Sequence, residues 1–562
     1  MFRVGFNEEI EGEAGIIPAF VPGQVLDYDV GVFHNDYVLM AAVWAKCRDG
    51  YSGGVSVKSK EEEYLPKLNE SQTDKDYIDY LNRSYWYGAT GKTVDVFVGM
   101  IFRKDPTMNF EPESKDLQER FKKITSDGQT TETLARKVVK ELFIVNRIGI
   151  LEDYPITVFE DGFVLQVTQL EADQADLKSN TVLYDAEKII NWKDEEVDGK
   201  KKPVFFVLSE TREVDDSESP FSPGIESIFR ILYLEEQVDL SVVYKQAVIV
   251  EAETVGSASE AATKEYVVES VVMPLKNGVP LDSIPFWIRT MDGADCEEVK
   301  TPTIYDMVEL NFAHYRNSAD YEREIHRVAI KTAVFPGWDT EEYGDPELGG
   351  ALASPPNETP FILEAKSTSP LKEVMKSKEE QMAVIGAQML AQRGRYVQSA
   401  ETATITSRGE SSIVATAAKI VGEVFSEVLT FKAEWSSQAD IKVTYELNTD
   451  FDEASFNAND LKTLFELLQG GGISYSVFYN AMDKNEMYPI DWSEEKEKLA
   501  IEETKEAMGM TSNEFDEVMG LVMSLESQVS KKTEKEEEIE EPLKKKEEKT
   551  IVKSKESAAR NK

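Results

Sequence analysis

The chain has 562 residues, too long for a single hydrophobic core, because cores stop growing at about 250 to 300 residues. Hydrophobic residues make up 41% of the sequence and aromatic residues 10%, which excludes composition-driven disorder for most of the chain. The formal net charge is −43, from 62 Lys and Arg against 105 Asp and Glu. A surface this acidic repels phosphate, which argues against tight nucleic-acid binding over a broad face.

The two cysteines, Cys47 and Cys296, lie far apart and match no C-x-x-C spacing. The sequence therefore predicts neither a disulfide framework nor a zinc site, and it fits a reducing, intracellular place of synthesis. No basic segment followed by an apolar one begins the chain, and no stretch approaches about 18 consecutive apolar residues. We expect a soluble protein without a standard secretion signal and without contact to a membrane.

Residues 1–30 show neither helical nor strand periodicity and are predicted to form an arm, with ordered structure beginning near His34. A first helix is predicted between Tyr37 and Arg48, because apolar residues recur there at helical spacing. The residues that mark the apolar face of this helix are Val38, Ala41, Ala42 and Ala45.

Two more helices are predicted in this part of the chain, one over residues 75–84 and one beginning near Thr131. The segment 93–102 is apolar enough to be buried. Gly149 and Pro155 are predicted to end this helical part.

The amino-acid pattern changes between Thr157 and Trp287. Short runs rich in β-branched and aromatic residues alternate there with Asp, Gly, Ser and Asn. This pattern predicts a mostly antiparallel sheet or barrel.

A long amphipathic helix is predicted over residues 302–331, about 45 Å at 1.5 Å per residue. One clean apolar stripe runs along it. The stripe residues are Ile304, Val308, Phe312, Tyr315 and Ala319. Pro336 and Gly337 end the helix.

The remaining chain is predicted to be mainly helical. The predicted elements are a helix over 371–395, a polar loop over 398–412, a helix over 413–435, a strand over 441–447, and helices from 457 to 529. Charged residues dominate beyond Lys531, which predicts a disordered tail or a frayed helix.

The motifs that suggest chemistry fail on their spacing. Residues 88–93 read GATGKT, but Trp86 stands where a phosphate-binding loop needs its first glycine. Residues 194–199 begin like a calcium loop, but its twelfth position is Phe205. Three histidines are too few for a histidine-based triad or a multi-histidine metal centre. We expect no enzymatic activity, no metal and no cofactor.

Basic residues cluster near the polar loop in an otherwise acidic body, namely Arg393, Arg395, Arg408 and Lys419. They fit ordinary capping of helix ends. They equally fit a few weak phosphate contacts inside an acidic conduit, which would let nucleic acid slide.

Several segments occur in an order that is typical of one protein family. They are Trp44 with Arg48 and Asp49, YLPKL at 64–68, ATGKTVDVFVGMIFRK at 89–104, ARKVVKELFIVNRIGILEDYP at 135–155, IINWK at 189–193, ELNFAHYRNSADYE at 309–322, QMAVIGAQML at 381–390 and ETAT at 401–404. Together they span about residues 34–435 and resemble the portal proteins of tailed bacteriophages, which connect head and tail.

The resemblance implies an α+β, portal-type fold with a helical and β-rich wing, long stem helices, a small clip, a helical crown and a disordered, charged C-terminal tail. The implied parts are an N-terminal arm (1–30), wing (31–301), stem helix (302–332), clip (333–370), second stem helix (371–396), tunnel loop (397–412), long helix and strand returning to the wing (413–452), crown (453–529) and tail (530–562).

The resemblance also implies a ring, expected to be a dodecamer, at one capsid vertex of the virion. Double-stranded DNA would pass through its channel during packaging and ejection. The implied partners are terminase, head-tail adaptor or tail proteins, and the major capsid and scaffold proteins, after synthesis in the host bacterial cytoplasm.

Individual residues receive roles from the same resemblance. Arg393, Arg395 and Arg408 would face the DNA channel. The stem residues expected to pack on neighbouring subunits are Val308, Leu310, Phe312 and Tyr315.

Two alternatives stay open at the level of the sequence. One is another virion structural protein, such as a minor head or tail-adaptor protein, which would share the acidity but not the stem, clip, stem order. The other is a hydrolase that uses carboxylates and a divalent metal, which the acidic composition favours and the absence of a spaced ligand motif opposes.

Overall fold

The computed structural model describes parts of the chain between residues 20 and 451. The described ranges are 20–153, 179–197, 200–214, 224–237, 242–252, 265–276, 279–293, 299–329, 332–337, 351–354, 357, 359–363, 370–390, 412–437, 441–449 and 451. They belong to the first of two compact units, which cover 1–451 and 452–562. Outside the described residues lie the tunnel loop except for Ser412, the crown, the tail, Arg393, Arg395 and Arg408.

The fold is α+β. Its described helices are α1 (Asn35–Ser52), α2 (Gly54–Ser59), α3 (Asp74–Arg83), α4 (Ala89–Ile101), α5 (Lys115–Arg120), α6 (Thr131–Ile144), α7 (Tyr305–Ala329), α8 (Leu371–Leu390) and α9 (Ile413–Ser437). The helices predicted within residues 37–48, 75–84, 302–331, 371–395 and 413–435 are confirmed, as is the helix that starts near Thr131. The buried segment predicted over 93–102 is most of α4.

Helix α6 illustrates how the sequence sets these elements. The Thr130 side chain accepts a hydrogen bond from the Thr133 backbone N–H at 3.1 Å and so caps the first turn. Leu134, Val138 and Leu142 follow at helical spacing and are all buried. A polar cap and one apolar face therefore define both the start and the orientation of the helix.

The described strands are β1 (Val25–Leu26), β2 (Thr107–Glu111), β3 (Ile148–Asp153), β4 (Asn180–Asp185), β5 (Ile189–Val197), β6 (Lys200–Val214), β7 (Gly224–Glu236), β8 (Val242–Ala252), β9 (Glu265–Val272), β10 (Leu275–Lys276), β11 (Val279–Pro280), β12 (Phe286–Arg289), β13 (Thr332–Pro336), β14 (Ala351–Ser354), β15 (Phe361–Leu363) and β16 (Lys442–Glu446). The largest sheet has the order β1-β9-β8-β7-β6-β5, and each neighbouring pair is antiparallel. The predicted antiparallel β-rich region is thus confirmed.

This six-stranded sheet is apolar on both faces. Successive residues of a strand point to opposite faces, so Phe206 and Leu208 lie in one core, whereas Val207 between them lies in another. The first core continues into a second sheet, of order β12-β3-β4, and reaches Trp435 of α9. The second core needs a different cover.

Residues 20–34, here called the strap, provide that cover. Phe20, Leu26 and Val30 are buried against the sheet. The Gly23 N–H donates to the Val268 carbonyl at 2.8 Å, next to β1 on β9. At the opposite edge, the His34 N–H donates to a carbonyl of β5 at 2.9 Å. The expectation that order begins near His34 is therefore wrong, because the sheet orders the strap.

The sequence analysis predicted that Gly149 ends the helical part of the chain. This prediction is wrong, because Gly149 lies within β3. A Cβ atom at this position would clash with the Phe286 ring on the neighbouring strand β12. The glycine therefore permits close packing of an aromatic side chain across the strand instead of stopping a helix.

Helices α7 and α8 are separated by a small sheet of order β14-β13-β15, in which β13 pairs parallel with β14 and antiparallel with β15. We call this sheet the tip. Helix α9 follows α8, and β16, the strand predicted over 441–447, pairs antiparallel with β2. The chain thus leaves the helical core along α7, passes through the tip and returns along α8.

Candidate assembly site

Helices α7 and α8 pack as an antiparallel pair. His314 Nε2 lies 3.1 Å from Glu379 Oε1, and the Lys378 ammonium donates to the Ala313 carbonyl at 3.0 Å. A Cβ atom at Gly386, farther along α8, would lie 3.6 Å from the side chain of Met307, which is earlier on α7. Residue numbers rise on one helix as they fall on the other, so the two helices run in opposite directions.

The apolar stripe of α7 is buried inside the chain itself. Its five residues are at most 1% exposed: Ile304, Val308, Phe312, Tyr315 and Ala319. This chain's own residues cover Val308, Phe312 and Tyr315, and the packing of these residues on neighbouring subunits stays a prediction. Leu310 is half-buried on the flank of α7 and packs against the same core.

Aromatic side chains from the connections between the N-terminal helices surround the middle of the stripe. The ring centroid of Phe312 lies 4.5 Å from that of Tyr64 and 4.9 Å from that of Trp86. The Lys46 ammonium lies 5.3 Å from the same Phe312 ring and pairs with Glu309, one turn earlier. These contacts fix the inner half of α7 to α1 and to the connections that follow α2 and α3.

Burial falls along both helices toward the tip. The buried residues of α7 lie between Met307 and Ala319, and those of α8 begin at Met382. The tip exposes large apolar side chains, including Phe335, Phe361 and Ile362. The pair therefore has one end anchored in the core and an apolar, accessible other end.

His314 lies between the two helices and is 1% exposed. Burial lowers the pKa of His314 below its ordinary value of 6.5, an effect that outweighs the hydrogen bond and charge of Glu379. The ring of Tyr87 covers it with a centroid distance of 5.2 Å. The folded chain therefore holds this histidine neutral at a pH where the unfolded chain protonates it.

We predict that replacing His314 with Gln reduces the acid sensitivity of the fold. The folded-state pKa is lowered, so the contribution of His314 is fully present above about pH 6.5 and is lost as the pH falls toward the folded-state pKa. The measurement is the thermal midpoint at about pH 7.5 and 5.5, where H314Q should lose less than the unmodified protein. H326Q, on the more accessible part of α7, is the control. An equal loss in H314Q and the unmodified protein contradicts the prediction.

Helix α9 is tied to the sheet region by a buried ion pair. Lys432 is 4% exposed and Glu152 is fully buried, and the Lys432 ammonium lies 2.7 Å from Glu152 Oε1. The Ser179 carbonyl also accepts from Lys432, and Thr181 donates to Glu152 Oε2 at 2.7 Å. The sequence analysis did not predict this cluster. A lysine on the apolar face of α9 does, however, indicate that a buried negative charge lies nearby.

Most of the residues predicted to form the buried apolar face of α1 are exposed to solvent. Val38, Ala42 and Ala45 are exposed, whereas the buried residues are Trp44, Cys47 and Gly50. The helix is therefore predicted correctly, but its buried side is set by one large aromatic residue and two small ones, not by the longer apolar stripe.

Exposed large apolar side chains are concentrated near the start of the described chain. Seven of them fall within residues 21–39: Val21, Val25, Tyr28, Val32, Phe33, Val38 and Leu39. Apolar patches of this kind typically mark sites of protein association.

The structure locates two residues close to the predicted tunnel loop. Ser412, its last residue, caps α9 by accepting a hydrogen bond from the Ala415 N–H at 3.1 Å. Lys419 is exposed on α9. The three predicted channel residues, Arg393, Arg395 and Arg408, lie outside the described part of the chain.

Comparison with known proteins gives limited similarity. Residues 303–436, from just before α7 to the last turn of α9, match the family described as "Domain of unknown function (DUF4055)". No curated protein matches the chain. One solved structure, "Neck of empty GTA particle computed with C6 symmetry", contains a chain that aligns with 75% of this chain and 96% of its own length. The sequence identity is 9% and the TM-score is 0.31, which does not establish a shared fold.

In the described ranges, no helix has both the length and the hydrophobicity of a membrane span.

Proposed function

We propose that the protein is a bacteriophage portal protein. It forms a ring at one vertex of the capsid and provides the channel through which double-stranded DNA is packaged and ejected. The observation that carries this proposal is the antiparallel pair of α7 and α8, which is buried at one end and leads to an exposed three-stranded tip at the other. The role is structural and includes no catalytic step.

The order of the parts supports the proposal. A helix, a small sheet, an antiparallel helix and a long buried helix follow one another from α7 to α9. This is the order of stem, clip, second stem and long helix that the portal resemblance implies. The segment that matches the uncharacterised family covers the same four parts.

The exposed apolar residues of the tip suit a docking site. In the proposed assembly, the tip contacts terminase during packaging and the head-tail adaptor or tail proteins afterwards. The capsid and scaffold proteins contact the ring elsewhere.

The acidity of the chain supports a channel with little friction. A charge of −43 per copy accumulates around a ring and repels the DNA phosphates, so the wall does not retain the duplex. Arg393, Arg395 and Arg408 are the residues that we propose to make brief backbone contacts within this acidic surrounding.

Negative-stain electron microscopy of the purified full chain tests the proposal. We expect closed rings with rotational symmetry and a central hole wide enough for duplex DNA, formed without nucleotide. Compact particles at every protein concentration would contradict the portal proposal. They would favour another virion component, or a hydrolase if a chelator also lowers the stability of the protein.

A further inference from the structure

Two exposed helix faces of this chain have features that suit contact between copies. The first, here called the α1 face, consists of Val38, Leu39, Ala42 and Ala45. The second, here called the α8 face, consists of Gln381, Ala383, Val384, Ala387 and Gln388. Leu39 is 73% exposed and Val384 is 53% exposed, so both faces present apolar surface to solvent.

The residues named for the two faces include no Asp or Glu, although Asp and Glu number 105 of the 562 residues. On α8 the exposed Glu380, one turn before Val384, lies 3.8 Å from the Lys376 ammonium, which offsets its charge. Residues 37–48 contain no Asp or Glu, and residues 381–390 contain no charged residue at all. Two copies of a chain with a charge of −43 repel each other over most of their surface. They can approach most closely where the acidic residues are missing.

The cations beside the α1 face are engaged within the chain. Lys46 pairs with Glu309, and Arg48 forms bidentate bonds to Glu141 and Glu187 at 2.7 to 3.0 Å. The face is therefore electrically neutral as well as apolar, which disfavours phosphate as its ligand and favours another neutral, apolar face.

The two faces belong to helices on different sides of α7. Helix α1 approaches at Gly50, where a Cβ would lie 3.3 Å from Val308 and 3.6 Å from Phe312. Helix α8 contacts Met307 and His314 instead. At 100° per residue, these two pairs on α7 are roughly 130° apart around the helix axis.

We propose that the α1 face of one copy docks on the α8 face of the next copy. A contact between two different surfaces is heterologous, and repeated contacts of this kind close into a ring when the rotation permits. The inference rests on the proposed ring and specifies which surfaces build it.

Substitutions on the two faces test the contact. L39E and V384E each place a carboxylate in an acid-free face that is exposed in the single chain. I225E is the matched control, because Ile225 is 76% exposed on β7. We expect the fraction of ring particles, measured by mass photometry, to fall by about tenfold or more in L39E and V384E and to change by less than about twofold in I225E.

Cross-linking distinguishes this contact from other arrangements. A42C and A387C are made in a C296S background, with the buried Cys47 retained. A short bismaleimide should link the A42C/A387C double variant into a ladder of covalent oligomers and leave each single variant monomeric on a denaturing gel. A ladder from A42C alone would overturn the proposal in favour of an α1–α1 contact.

The outcomes separate this inference from the proposed function. If the unmodified chain forms no rings, the proposed function fails. If it forms rings and L39E and V384E form them equally well, the portal proposal stands and the α1–α8 contact is wrong. Lowered stability of isolated L39E, without loss of rings, would show that another segment of the same chain covers the α1 face and would also overturn the contact.

Discussion

Replacing Lys432 with Met is expected to lower the free energy of unfolding by about 3–5 kcal/mol. The substitution keeps the length and the apolar stem of the side chain but removes the ammonium group. Glu152 would then be left as a fully buried carboxylate whose remaining side-chain hydrogen bond comes from Thr181. An uncompensated buried charge is among the largest single destabilising effects in a folded protein.

The measurement is denaturant unfolding of the full chain, with Lys419→Met as the matched control. Lys419 lies on the same helix but is exposed, so K419M should change the free energy of unfolding by less than about 0.5 kcal/mol. The double variant K432M/E152Q should recover part of the loss, because it removes the buried charge together with its partner. Equal stability of K432M and K419M would show that the ion pair contributes little.

The sequence contained part of the information about this cluster. In α9, Val421, Phe425 and Val428 are buried at helical spacing, and Lys432 continues the same face. A lysine on such a face requires a buried anion. The anion is Glu152, 280 residues earlier in the chain, and no local pattern identifies one carboxylate among so many.

Element types were predictable because periodicity is a local property. The helix over residues 302–331 and the strand over 441–447 were both predicted from the spacing of apolar residues, and both are confirmed. The buried side of α1 was not predictable in this way. Its exposed stripe has more apolar residues than its buried side, where Trp44 is fully buried and Gly50 permits the approach of α7.

The strap shows a second limit of local reasoning. Residues 20–34 have no internal periodicity, since each buried residue is placed by the sheet that it covers and not by a repeat of its own. Gly149 shows the same dependence on distant contacts, because the Phe286 ring that requires the glycine is more than 130 residues away. Segments whose order comes from tertiary contacts carry no periodic signal.

The sequence also did not identify the residues that cover the apolar stripe of α7. Spacing predicted that Phe312 and Tyr315 are buried, and they are. It did not say whether the covering surface belongs to this chain or to another copy. Tyr64 and Trp86, which cover Phe312, come from segments about 230 to 250 residues earlier, in a part of the sequence with no strong pattern of its own.

Replacing Phe312 with Ala tests whether this stripe stabilises the single chain. The ring is fully buried between Tyr64 and Trp86, so its removal should leave a cavity and cost about 3–5 kcal/mol of unfolding free energy. Fluorescence of the tryptophans during denaturant unfolding reports the change, because Trp86 contacts the substituted residue.

F361A, at an exposed position of the tip, is the control and should change the stability by less than about 1 kcal/mol. If F312A unfolds like the unmodified chain and only ring formation suffers, the stripe packs between copies after all. Loss of stability in the single chain would show that the stripe belongs to the hydrophobic core of its own chain, because the cavity would then lie between parts of one copy.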